Sequence, residues 1–230
     1  MSTPVLIIFV SVYQLVCNTY SHLFSKIIKK HRLKNSVLIV FLPFFLPPFL
    51  LHCRCVEMQY LRIYESPVGG VVDLHPLHGQ NEFFNNFLAA QIIADHGYSV
   101  ELLPELTDIE VEFRKIWMAD VVGNKNPDVR INGYLIGDIK TPNPNVAIKK
   151  STINHCIYSC SRQNVAIAII NLIGRHYTLQ DIKKGIVGSL QPNRNKSIRE
   201  VWIITRNKRI FRIDRSIVFD DTIYEALNLL

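Results

Sequence analysis

Pro127-Asp128 is separated by nine residues from Asp138-Ile139-Lys140, and Asn132-Gly133 lies within the interval. Two carboxylates can hold a hard divalent cation through oxygen, and an ammonium beside them can stabilise charge growing on phosphate oxygens. Phosphodiester hydrolysis requires that combination. An Asn-Gly pair between two short apolar-alternating runs predicts a hairpin, with 129–131 and 134–139 as antiparallel strands. Asp138 and Lys140 then share one face of the second strand, and Asp128 stands at the mouth of the first. A turn-flanking Asp is often only a cap, and an Asp/Lys pair two apart is often a solvated surface. Three local signals agreeing on one hairpin favour a site instead.

The surrounding pattern supplies the elements that would position these residues. Phe83, Phe84, Phe87, Leu88, Ile92 and Ile93 recur at helical spacing and predict a helix over 81–96, stopped by Gly97. A strand follows over 98–103, and 106–125 is ambiguous between a short helix and an insertion. After the hairpin, Thr141-Pro142-Asn143-Pro144 bars a continuing strand or helix and sets a cap at Asn145. The helix it opens should run to about Arg162, with Val146, Ile153, Cys156, Ile157 and Cys160 as its apolar stripe. The β-branched run 165–172 has the composition of a strand covered on both faces. Thr178-Leu179-Gln180-Asp181 resembles a capping box opening a helix to about Leu190. A second hairpin should join 201–205 to 210–213. This alternation implies an α/β protein of the mixed α+β kind, a central mixed sheet flanked by helices.

Composition divides the 230 residues into two parts. Residues 1–57 are apolar and basic by turns and read as a signal peptide, a membrane segment or a non-native stretch ahead of a start at Met58. The missing basic n-region and the short, proline-broken apolar runs favour the last. Residues 58–230 form one domain of ordinary size. Its charge is uneven: 12 acids and 5 bases over 58–138, net −7, against 15 bases and 6 acids over 139–230, net +9. An acidic half bearing metal ligands joined to a basic half suits a polyanion held against a cation. The five cysteines, at 17, 53, 55, 156 and 160, make neither a disulfide framework nor a zinc pattern and fit a reducing compartment. There is no glycine-rich phosphate loop and no Ser-His-Asp arrangement. His155 and His176 read as solvent-facing.

The order helix, strand, hairpin with Pro-Asp and Asp-x-Lys, helix, strand resembles the PD-(D/E)xK superfamily of restriction-endonuclease-like nucleases. Within it the chain is most similar to the C-terminal tRNA nuclease domain of bacterial contact-dependent growth inhibition toxins. The resemblance runs from about Asn81 to Asp214. It rests on Glu82, the run from Gly97 to Glu105, Asn126-Pro127-Asp128-Val129, Asn132-Gly133, Asp138-Ile139-Lys140-Thr141-Pro142, Arg162-Gln163 and Asn171-Leu172. It implies a divalent metal, Mg²⁺ with Zn²⁺ or Mn²⁺ as alternatives, on Asp128, Asp138 and the Ile139 carbonyl, with Glu82 reaching it from the first helix. An acid at a helix start is also favoured by the macrodipole alone, and Glu101 is the substitute if Glu82 points away. Lys140 would orient water and stabilise the phosphate; Lys149, Lys150 and Arg162 are candidate phosphate contacts, and Gln163 matches a position near the site. The implied function is an endonuclease acting on RNA, chiefly tRNA, in the bacterial cytoplasm after delivery from a secreted or membrane-associated parent. A cognate immunity protein is the implied partner. A DNA endonuclease of the same fold and an inactive nucleic-acid-binding relative are the alternatives.

Overall fold

The computed structural model describes residues 59–219 and 222–228, all within one compact unit, His52–Leu230. The segment 1–57, with its three readings, and the start at Met58 lie outside the described residues.

The elements follow the chain as β1 (Leu61–Glu65), β2 (Val71–Leu74), α1 (Phe83–Asp95), β3 (Ser99–Leu102), α2 (Val111–Trp117), β4 (Val129–Ile131) and β5 (Leu135–Lys140). Then come α3 (Lys150–Arg162), β6 (Ile167–Asn171), α4 (Leu179–Ser189), β7 (Glu200–Ile204), β8 (Ile210–Asp214), a 3-10 turn (Ser216–Val218) and α5 (Ile223–Leu227). The eight strands lie in one sheet in chain order. β2/β3, β5/β6 and β6/β7 are parallel and the other neighbours antiparallel. Each parallel step is bridged by a helix, as a crossover requires. This is the mixed sheet flanked by helices that the pattern implied.

Two buried clusters lie on opposite faces of the sheet. On one, Ala89, Ala90 and Ile93 of α1 pack against Val72, Val100, Leu102, Val129, Ile131 and Ile139. On the other, Ile153, Cys156, Ile157 and Cys160 of α3 and Ile182 and Ile186 of α4 pack against Ala168, Ile170, Val201 and Ile203. β6 divides its residues between the two, Ile167 and Ile169 to the first and Ala168 and Ile170 to the second. Its continuous apolar run therefore serves both faces. α3 and α4 lie in close contact at Gly185, where a Cβ would stand 2.5 Å from the Ile153 Cβ.

Two expectations need correction. The chain stays non-helical past Asn145 and α3 begins only at Lys150. The Asn143 side chain accepts from Asn145 N–H (2.9 Å) in a local turn, and Ile148 bridges to Tyr177. The N-terminus of α3 is closed instead by Thr152 Oγ1, which accepts from Lys149 N–H (3.3 Å). Val146 is consequently 54% exposed rather than part of the buried stripe. The β1/β2 hairpin was also not anticipated. Its first strand is mostly exposed, so it lacks the strict alternation that marks a half-buried strand.

The ambiguous stretch contains α2, and its Arg114 organises the loop that follows. Arg114 is 9% exposed and donates to the Leu106 carbonyl, the Lys125 carbonyl (2.9 Å) and Asn126 Oδ1 (2.9 Å). These bonds hold residues 125–126 beside Pro127-Asp128. Arg114→Ala should cost about 2–3 kcal/mol, the worth of a buried charged hydrogen-bond set, read as a lower urea midpoint at unchanged m-value.

Candidate functional site

The hairpin turn places Asn132 and Gly133 both at positive φ, 51° and 78°, which Asn and Gly tolerate best. Ile131 pairs with Leu135 and Val129 with Gly137. Continued by one residue, that register sets Asp128 opposite Asp138. Had Ile131 paired with Tyr134, Asp128 would have faced Gly137 and the acids would not meet, because side chains alternate with period two. The observed register also lets Asp128 Oδ2 accept from Ile139 N–H (2.7 Å).

Asp138 is buried, with a side chain only 1% exposed, and Lys140 Nζ stands 2.9 Å from its Oδ2 and 3.8 Å from Asp128 Oδ2. Lys140 thus forms an ion pair with Oδ2, while Oδ1 has no hydrogen-bond partner among the described residues. Desolvation by burial, reinforced by the Asp128 charge, pushes the Asp138 carboxyl up to about 8. Burial opposes charge on Lys140 as well, but the Asp128 and Asp138 carboxylates outweigh it and hold the ammonium above the usual lysine range. Cys160 of α3 closes the site from beneath, its Sγ donating to the Asp138 carbonyl (3.4 Å).

A second layer supports Asp128. Asn86 Nδ2 of α1 donates to Asp128 Oδ1 (3.0 Å) and lies 3.3 Å from His78 Nε2. His78 Nδ1 is 2.6 Å from the Leu103 carbonyl, so this nitrogen carries the proton and Nε2 is left to accept from Asn86. Both side chains are buried, Asn86 at 2% and His78 at 5%. Neither stood out in the sequence. The available signal was a polar Asn inside the apolar stripe of a helix, which is buried only when it has partners.

The acid pair opens into a cleft of about 490 Å³ lined by Glu82, Asn86, Asn126, Asp128, Asp138, Lys140 and Gln163. Of the remaining predicted residues, Glu82 is at the N-cap of α1 and exposed on the rim. Gln163 caps α3, and its Oε1 accepts from Asn126 N–H (3.3 Å). Ile139 offers its N–H to Asp128 while its side chain is buried in the core. Lys149, Lys150 and Arg162 are exposed at the two ends of α3 and do not line the cleft. Glu101 is taken up by Arg130, 2.6 Å away, and is not a substitute third acid. Among the described residues no three His, Cys, Asp or Glu side chains gather as a metal cluster. Even so, Asp138 suits a hard cation: a buried acid set across from a second carboxylate, with one oxygen still lacking a donor among the described residues, is satisfied by one.

Compared with curated proteins, the chain matches none. Among solved structures it is similar to the CdiA-CT/CdiI toxin and immunity complex from Burkholderia pseudomallei, at 21% identity and a TM-score of 0.42, over 60% of this chain and 91% of that one. Residues 125–210, the stretch that carries Asp128, Asp138 and Lys140, match the family model of the contact-dependent growth inhibition CdiA C-terminal domain.

Proposed function

We propose that this domain is a divalent-metal-dependent endonuclease that hydrolyses RNA, with tRNA as its substrate, and that it acts as a toxin. The observation that carries the proposal is the buried Asp138 set across from Asp128, its Oδ2 paired with Lys140 and its Oδ1 without a donor among the described residues, in an open polar cleft. Asp128 and Asp138 would hold the cation, Mg²⁺ first and Mn²⁺ or Zn²⁺ as alternatives. When bound, the cation supplies Lewis-acid charge to the phosphate and makes water more acidic.

The protein's own groups do the rest. Lys140, held protonated by its two acids, is a cation and a donor to phosphate oxygens rather than a general base. Asn86 and the Ile139 N–H fix the two oxygens of Asp128 in place. Glu82, at the rim, would reach the cleft as an outer acid, and Gln163 keeps the 125–126 loop in register through Asn126. The family match over 125–210 supports the toxin role, and with it a cognate immunity protein as partner. The choice of RNA over DNA rests on the sequence resemblance.

Parallel digestion of total tRNA and plasmid with Mg²⁺, Mn²⁺, Zn²⁺ or EDTA tests this reading. Metal-dependent cleavage of tRNA with intact plasmid is the expected result; full activity in EDTA would sink the mechanism, and plasmid cleavage alone would reassign the substrate to DNA. Asn86→Ala should weaken divalent-cation binding by about 10–100-fold, as loss of a residue orienting a ligand does. Calorimetric titration with Mn²⁺ measures it.

A further inference from the structure

Beside the acid pair the cleft continues into a second pocket of about 320 Å³, within the size range of small-molecule sites. Lys140, Asn86 and Glu82 line both spaces, so Lys140 stands at their junction. The second pocket differs in character from the first. Pro142, Val146 and Cys156 give it apolar walls, and Asn85, Thr152, His155 and Ser159 bring hydrogen-bonding groups to it. In its wall the Thr141 hydroxyl is buried with no partner among the described residues. Val146, at the mouth, is 54% exposed.

We propose that this pocket receives one unpaired nucleobase of the substrate, adjacent to the phosphate held at Lys140. The proposal rests on the nuclease reading of the acid pair. An apolar slot with hydrogen-bonding groups along its edge matches a base, which has apolar faces and a polar rim; proteins that read RNA sequence target unpaired bases that can be splayed out and hydrogen-bonded on their edges. A base paired inside a duplex cannot enter such a slot without leaving the stack. The substrate class is therefore an RNA loop or single strand, cut next to a base that has turned into the pocket.

Two measurements on the full chain test this. In the first, the four nucleoside 5′-monophosphates and ribose 5-phosphate are titrated by calorimetry. At least one nucleotide should bind roughly tenfold or more tightly than ribose 5-phosphate, and Val146→Trp and His155→Ala, both at exposed positions, should erase that difference. Equal binding of all five ligands, or a difference that both variants preserve, would overturn the proposal. In the second, a single-stranded oligoribonucleotide carries an abasic residue on one or the other side of the cut. One placement should lower kcat/KM by roughly tenfold or more; unchanged rates at both would overturn the proposal. If no RNA is cleaved under any metal condition the nuclease reading fails, and the nucleotide titration alone still decides the pocket.

Discussion

Asp138→Asn should lower cleavage by on the order of 10²–10³-fold, the scale for losing one preorganised electrostatic group, while making the metal-free protein more stable at alkaline pH. The two effects share a cause. Asp138 is buried across from Asp128, and its carboxyl is raised to about 8 by burial first and by the Asp128 charge second. A carboxyl raised above its unfolded value stabilises the fold below the unfolded range near pH 4, and that contribution is lost as the pH rises through about 8. The asparagine variant has no such proton to lose, because its amide donates toward Asp128 at every pH. The unfolding free energies of the two proteins should therefore diverge between pH 4 and 8, by on the order of a few kcal/mol, and run parallel above, read from denaturant melts across that range. Divalent cation binds the ionised form and releases the proton, so its stabilisation of the wild type should be larger at pH 8.5 than at pH 6 and absent in the variant. Equal cation stabilisation in both proteins would mean that Asp138 does not hold the metal.

Lys140→Ala should remove both activity and stability, and added metal should restore only the second. Lys140 lies 2.9 Å from Asp138 and 3.8 Å from Asp128, and the three side chains are 25%, 1% and 12% exposed. Without the ammonium the ionised acids lose their compensating charge, a loss that reaches about 3–5 kcal/mol, as when such a pair is broken in the interior, only once the pH is high enough to ionise both. The deficit should be small near pH 4, where the acids can protonate, and should grow with pH. Millimolar Mg²⁺ or Mn²⁺ supplies the missing charge and should recover most of the midpoint. Cleavage should stay lost, because the donor to the phosphate is gone. An active variant in the presence of metal would remove Lys140 from the chemistry. A deficit that metal leaves unchanged would mean that the acids hold no cation.

The hairpin with its acids was legible because its determinants are local. Asn132-Gly133 specifies a turn through positive φ, and a spacing of two puts Asp138 and Lys140 on one face of β5. The buried strand β6 and the Thr178 cap were legible for the same reason: a β-branched run and a hydroxyl three residues ahead of its donor need no distant partner. Where the reading failed, the outcome depended on contacts far along the chain. α3 starts late because Ile148 pairs with Tyr177. Glu101, two residues from the β3 end of the cleft, is claimed by Arg130 of β4. Lys149, Lys150 and Arg162 lie exposed at the two ends of α3, outside the cleft, and the α3-end residues that touch the site's own segments are Cys160 and Gln163.

By itself the sequence determined the chemistry available to this protein: two acids and a lysine on one hairpin, in a domain whose apolar periodicity argues for a mixed sheet between helices. Tertiary structure alone decided how that chemistry is tuned. It buried Asp138 beside Lys140, brought Asn86 of α1 and His78 of the loop before it to hold Asp128, and opened two unlike pockets on either side of Lys140. Residue types and short spacings travel with the chain, but desolvation, hydrogen-bond partners and cavity shape arise only where elements distant in sequence meet.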